Sequence, residues 1–554
     1  MKASVKEKIS LAVILAIIAA IYFSTLSVNH NEAEDSTHFL YSISYGSLSD
    51  QFHPDHLFYN FVNYAFLHLW RFFGYEANVE FTTKFINIIA ALSVLWLLYI
   101  ITSKLNFPVL LKYFCMASLA FSYGFWWYSV ECETYIIPIL FMLLCIHRLF
   151  LIRQDFFRLS NHLLLGVFNA LAILFHKQNI LLIIVILLGY FLIFYEKQRK
   201  LGWIKFVSMM TSYAMICGFI VLFSYLAVAI FIMRLFNFKD IITWAIHPFV
   251  LEGLAELNIS DILKAMIGFG RIFIGGHYIF YFPTIAIFIQ KMMPSFSLKE
   301  EIFLIKDFSI FKSIFLYSIT LILFLLTLYV IFQINKHRSL RLMRTSRSDL
   351  SRLQFFTFII LAGYIVIFSL FNIVYLPQVI EMWISLGPIV FLALGILIIP
   401  IIPKTRIRIS LGIILVCLFF INFLGSVLPQ TDPEHDYWYK FNSWLIANCK
   451  PGDLVVSGSN YRSDGYVRYY SGARVFSTLE SDQTLEKKFQ EIISCYKPKK
   501  IYFSSTVFQP IENTVDRNSS DNLYAKEFFS KLSANLILVH SDSYQKIYLY
   551  KRDD

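Results

Sequence analysis

ISLAVILAIIAAIYFSTL (Ile9–Leu26), followed almost at once by NHNEAEDSTHFLYSISYGSLSDQFHPDHL (Asn29–Leu57), decides how the rest of the chain is read. The first stretch carries no charge. At about 1.5 Å per residue it nears the ~30 Å of a bilayer's hydrocarbon core. The second holds Glu32, Glu34, Asp35, Asp50 and Asp55 with no Lys or Arg. Lys2, Lys6 and Lys8 precede both, so the N-terminus is read as cytoplasmic and the acidic loop as outside. A charged start before an apolar run is also the pattern of a signal peptide. No small-residue cleavage site precedes the acidic loop, so the run is expected to stay as a first membrane helix.

Composition supports that reading. The 554 residues are 57% hydrophobic and 15% charged, against ~25% charged in ordinary soluble domains. The mean hydropathy is +0.61, and 57 Phe suit lipid-facing helices and interfacial belts. A net charge of +11 raises the question of nucleic acid. The surplus lies in short loops of the apolar part, however, which is the positive-inside pattern and not a nucleic-acid face.

Further spans are expected at about 81–101, 108–128, 134–152, 160–176, 178–195 and 205–233. Lys104 and Lys112 fall inside, then Arg148, Arg153 and Arg158, then Lys197, Arg199, Lys200 and Lys205. The turns at 126–135 and 175–179 then fall outside. The alternation holds only if the amphipathic stretch Leu57–Phe73, with Asn60, Asn63, His68 and Arg71, lies along the outer interface without crossing. The basic loop 335–352 must be cytoplasmic, so the apolar run 272–290, interrupted by Pro283, should be re-entrant, interfacial or paired with a second weak crossing. Spans 313–333, 355–376, 382–402 and 407–428 follow, giving about 11 or 13 crossings and an outside C-terminus.

The membrane part is therefore set at residues 1–428, with a first outer loop at 28–80, and an extracytoplasmic domain at 429–554. In the latter, 453–459, 499–505, 535–541 and 545–551 read as strands, and 437–449, 485–496 and 522–533 as helices, a small α/β domain. Of the seven Cys, five sit in or beside apolar segments as small buried hydrophobes. A bond between Cys449 and Cys495 is left open.

Polar clusters gather on the outer side. Glu34-Asp35-Ser36 reads either as a catalytic carboxylate or as a cap of the helix that follows. His53, Asp55 and His56 lie within four residues, without an obvious third ligand for a metal, and suit hydrogen bonding to a phosphate or sugar. Trp126, Trp127 and Tyr128 read by default as an interfacial belt. Glu131 and Glu133 beside them, with Tyr135, are ionisable or polar groups at a membrane boundary, where such groups mark function. His176, Lys177 and Gln178 end a helix; Lys177 either snorkels or neutralises a phosphate. Arg271 and His277 add cationic candidates, while the glycines between them lack the preceding strand of a dinucleotide loop. Acids beside cations on one face suit transfer from a phosphate-linked donor to a hydroxyl. Nucleotide-sugars are absent outside, so the donor would be lipid-borne.

An acidic pair in the first outer loop, many spans and an outer C-terminal α/β domain resemble the GT-C superfamily of membrane glycosyltransferases. More closely, Asp35-Ser36, His53-Pro54 with Leu57-Phe58-Tyr59, FWWYSVECETY (125–135) and FHKQ (175–178) are similar to the motifs of protein O-mannosyltransferase and glycosyltransferase 39-like families over residues 10–200. Thr37-His38 and Asp55-His56 depart from that series. The resemblance implies Asp35 as general base with Glu34 beside it. It also matches Glu133 and Tyr135 to a Glu-x-Tyr element and His176 to a helix-end His. His53, Asp55, His56, Trp127, Glu131, Lys177, Gln178, Arg271 and His277 complete the expected substrate contacts.

The expected activity is inverting transfer of a sugar, mannose by this likeness, from a polyprenyl- or dolichyl-phosphate donor to a protein, glycan or lipid hydroxyl. No metal or cofactor is expected. Short loops and the lack of an endoplasmic-reticulum retention signal favour a bacterial inner membrane. A transporter or flippase for lipid-linked sugars, which would show mid-bilayer charges and internal repeats, and a non-catalytic scaffold remain the alternatives.

Overall fold

A computed structural model of the chain describes residues 5–33, 35–76, 78–197, 202–246, 259–292, 298–337, 348–478, 485–508 and 530–551. Glu34, His247, Glu252, most of the basic loop 335–352 and most of the expected helix 522–533 lie outside them. The chain divides into two units. One comprises Met1–Leu26, Ser47–Gly276 and Ser309–Leu428; the other comprises Ser27–Gly46, His277–Phe308 and Pro429–Asp554.

The first unit is helical, and the protein is a multi-pass membrane protein. Among the described residues, eight helices are long and apolar enough to cross a bilayer. They are Val5–Ser24, Val79–Lys104, Ile136–Gln154, Lys177–Lys197, Trp203–Ile232, Ile310–Lys336, Asp349–Tyr375 and Thr405–Thr431. Tyr59–Phe72 is a 14-residue helix, about 21 Å long and too short to cross. Leu159–Phe175 and Leu386–Ile398 occupy the positions of two expected spans as shorter apolar helices.

The span expected at 108–128 is not one straight helix. It is two helices, Val109–Ala120 and Tyr123–Ser129, bent by 64°. A break at membrane depth survives only if its freed backbone groups find partners inside the protein. Tyr22 Oη donates to the Ala120 carbonyl at 2.7 Å. Asn422 Nδ2 donates to the carbonyls of Phe121 and Phe273. The N–H groups of Tyr123 and Gly124 bond Phe273 and Ile272. The run 272–290 is likewise irregular, not a continuous helix: a turn at 272–273 that ends the preceding helix, a 3₁₀ turn at His277–Tyr281 and a ten-residue helix Pro283–Met292. The carbonyls of this turn thus accept the N–H groups freed at the break in the other segment.

Close packing elsewhere uses small residues. Helix Leu159–Phe175 packs on Trp203–Ala227, and a methyl group on Gly166 would lie 2.8 Å from the Tyr213 carbonyl.

The second unit contains a five-stranded sheet in the order β2-β1-β3-β5-β4, with β1 Leu454–Ser457, β2 Arg474–Ser477, β3 Ile501–Ser504, β4 Leu536–Ser541 and β5 Lys546–Tyr550. β1 pairs parallel with β2 and β3; β5 pairs antiparallel with β3 and β4. The two-residue period of a strand sends alternate side chains to opposite faces. Leu454, Val456, Phe476 and Phe503 pack under helix Leu485–Tyr496 through Phe489. Val455 and Tyr502 pack on the other face with Leu445 and Val467. Covered on both faces, the central strands read as continuous apolar runs. None of the seven cysteines forms a disulfide; Cys449 is buried and Cys495 exposed, so the 449–495 bond left open above is not formed.

Candidate functional site

The expected residues fall in both units, and each set is built by its own fold. In the first unit, two long-range backbone bonds join the His-Pro stretch to the end of helix Leu159–Phe175: Phe58 N–H to the Leu174 carbonyl, and Lys177 N–H to the Asp55 carbonyl at 2.8 Å. His176 ends that helix in an extended conformation, φ −159°, which turns Lys177 back. Lys177 Nζ lies 3.3 Å from Asp55 Oδ1 and donates to the carbonyls of Ala245 at 2.7 Å and Ile246 at 2.9 Å. The rings of His53 and His56 stack at 4.5 Å, and the Tyr135 ring meets His176 at 4.9 Å. The structure therefore brings together His53, Asp55, His56, Tyr135, His176, Lys177 and Gln178. Gln178 Nε2 donates to Asn372 Oδ1 at 2.6 Å.

Glu131 and Glu133 are almost wholly buried. Their backbone is held by one side chain: Asn87 Nδ2 donates to the Glu131 carbonyl at 2.7 Å and the Glu133 carbonyl at 2.9 Å. On the same helix the buried Lys84 pairs with Glu80 at 3.1 Å. Glu381 accepts from Tyr128 Oη at 3.2 Å and Tyr135 Oη at 2.9 Å. Trp126, Trp127 and Tyr128 are fully buried, which corrects the interfacial-belt reading: the 64° bend folds them into the protein. Arg271 closes helix Ile259–Arg271. Lys84, Asn87 and Glu381 went unnoticed in the sequence, although a lysine and an asparagine within the apolar stretch Val79–Lys104 are the signal that would have found them.

In the second unit the acidic loop is tied down residue by residue. Val28 N–H bonds the Gln430 carbonyl, and Asn29 Nδ2 donates to the His435 carbonyl at 2.9 Å. His30 N–H donates to Asp436 Oδ2 at 3.1 Å. The Asn31 carbonyl accepts from Arg462 Nη1 at 2.8 Å, and Glu32 contacts His277. His277, expected as a substrate contact, is thus engaged with the loop and lies in the other unit from Arg271.

Asp35 occupies the cap position of helix Ser36–Tyr45, yet its carboxylate makes no capping hydrogen bond. Asp436 also accepts from Tyr466 Oη at 2.6 Å and Tyr439 N–H at 2.9 Å, and burial pushes its carboxyl up to about 6. Burial holds the His38 imidazole down at about 4, so it is neutral at pH 7, its Nε2 2.9 Å from the Tyr461 carbonyl. Among the described residues no group of three or more His, Cys, Asp or Glu is placed to hold a metal ion.

The sequence matches no family model and no curated protein. The fold has a counterpart. The structure of ArnT from Cupriavidus metallidurans bound to undecaprenyl phosphate superposes with a TM-score of 0.58, covering 99% of this chain and 98% of that one at 10% identity.

The chain has the GT-C fold.

Apo ArnT gives a TM-score of 0.43 over 98% of both chains, and the oligosaccharyltransferase of Archaeoglobus fulgidus 0.43 over 94% of this chain and 71% of that one, each at 10% identity. In GT-C terms the two sets described above are a polar layer inside a helical membrane unit and an acidic loop folded onto an α/β domain.

Proposed function

We propose that this chain is a GT-C-type membrane glycosyltransferase. It would move a sugar, with mannose the first to test, from a polyprenyl- or dolichyl-phosphate donor to a hydroxyl of a protein, glycan or lipid on the outer face of a bacterial inner membrane. The observation that carries this reading is the place of Asp35. It stands at the start of helix Ser36–Tyr45, in a loop whose residues from Val28 to Glu32 are each held. A carboxylate carried on a loop held in this way suits a general base. The fold shared with a protein bound to undecaprenyl phosphate supports a lipid-borne donor.

In the proposed step Asp35 takes the acceptor's hydroxyl proton while that oxygen bonds to the anomeric carbon. The bond from that carbon to the phosphate oxygen breaks, and its electron pair leaves on the lipid phosphate. A single displacement inverts the anomeric centre. Glu34 and Glu133 are candidate acidic contacts of the substrates. Lys177, Arg271, His53, His56 and His176 are the candidates to stabilise the departing phosphate, an electrostatic role. Asp55, Trp127, Glu131, Tyr135 and Gln178 are candidates for sugar or acceptor contacts.

The test is transfer from radiolabelled polyprenyl-phosphate mannose, and from related donors, in membranes containing wild type or Asp35→Asn. Removing a general base should lower transfer by roughly 10²–10⁴-fold in a protein that still folds. Equal transfer by the two would dismiss Asp35.

A further inference from the structure

We infer that Arg462, far away in the chain, is the positioning residue for Asp35; the inference rests on the proposed role of that carboxylate. Arg462 stands in the first turn of helix Tyr461–Ser471, whose start is set by the Asn460 side chain accepting from Ser463 N–H. One guanidinium nitrogen, Nη1, donates to the Asn31 carbonyl at 2.8 Å and to Glu300 Oε2 at 2.6 Å. Glu300 also accepts from Trp438 Nε1 at 2.6 Å, so three segments of the second unit meet at this arginine. Asn31 lies four residues before Asp35.

The same helix holds the chain just after Asp35. His38 stacks on Tyr461 with ring centroids 3.7 Å apart and planes 11° from parallel, and its Nε2 bonds the Tyr461 carbonyl. A methyl group on Gly465 would come within 2.3 Å of Thr37 Oγ1 and 2.8 Å of His38 Nε2. One rigid helix thus grips the loop on both sides of Asp35, through Arg462 before it and through Tyr461 and Gly465 after it. Arginine suits the first grip because the guanidinium plane fixes the directions of the two Nη1 bonds, which a lysine ammonium reproduces only in part. Misplacing a reacting group by about 1 Å can cost on the order of 100-fold in rate, so the rate of transfer should respond to this grip while donor binding does not.

The experiment uses the full chain in membranes and compares Arg462→Met, Arg462→Lys and Asp35→Asn for kcat, donor KM and hydrogen exchange of residues 27–46. Arg462→Met should lower kcat by roughly 10–100-fold at nearly constant donor KM and speed exchange in that segment, with Arg462→Lys recovering part of the rate. Should Arg462→Met fail to fold, Glu300→Gln removes the ion pair with little change of shape and should produce a smaller fall of the same kind. An inactive Asp35→Asn beside Arg462→Met at wild-type kcat would overturn the positioning role and leave the reaction standing. An active Asp35→Asn would remove the base, and the positioning role with it.

Discussion

Lys177 Nζ sits 3.3 Å from Asp55 Oδ1 while also donating to the Ala245 and Ile246 carbonyls. The side chain therefore joins three segments of the membrane unit; in its proposed role it also meets the donor's phosphate. Lys177→Met should raise donor KM and lower kcat/KM by roughly 10–100-fold, the size expected for one lost charge-stabilising contact of about 1.4–2.7 kcal/mol. A lower unfolding temperature with unchanged donor KM would mean that Lys177 only ties the segments together.

Asn87 supplies the donor for two carbonyls in the buried turn that carries Glu131 and Glu133. Truncation to Ala leaves both acceptors without this partner and should destabilise the protein by roughly 1–3 kcal/mol. Asn87→Asp should be worse, because a carboxylate has no N–H to offer and would face two carbonyl oxygens. Thermal unfolding of purified protein in detergent checks the order. An aspartate variant as stable as wild type would contradict the assigned hydrogen bonds.

Burial raises the carboxyls of Asp436 and Asp464 from 3.8 to about 6. Between those values the folded domain holds protons that the unfolded chain has released. Stability therefore falls as pH rises through that window and levels off above it. At about 1.4 kcal/mol per pH unit, each group accounts for roughly 3 kcal/mol at most. Asp464→Asn retains an oxygen for the Ser459 hydroxyl, which now donates at 2.9 Å, and should flatten the slope. Unfolding midpoints at pH 4.5 and 7.5 measure it; an equal slope in wild type and variant would remove Asp464 as a source.

Cys495 is the one exposed cysteine of the seven. A membrane-impermeant maleimide should label it in intact spheroplasts, and Cys495→Ser should abolish the signal. Labelling only after permeabilisation would place the C-terminal domain inside and reverse the proposed topology.

The sequence alone determined the membrane class, the alternation of basic and polar loops, and four of the five strands, because hydropathy and the two-residue strand period are local properties. β2, Arg474–Ser477, escaped because four residues with one exposed end carry too little pattern. Helix Tyr461–Ser471 escaped because its residues are mostly polar, and its helical state is fixed by packing against helix Ser36–Tyr45. The break after Ala120 escaped because the hydropathy runs straight through it. Only the tertiary structure provides Tyr22, Asn422 and the turn at 272–273 to satisfy the opened backbone. Asp35 was legible as an unusual acid in the loop that follows the first apolar helix. What holds it was not. Asp436 and Arg462 lie about 400 residues further along, and a hydrogen bond between such distant residues leaves no periodic trace in a single sequence; only folding decides that they meet.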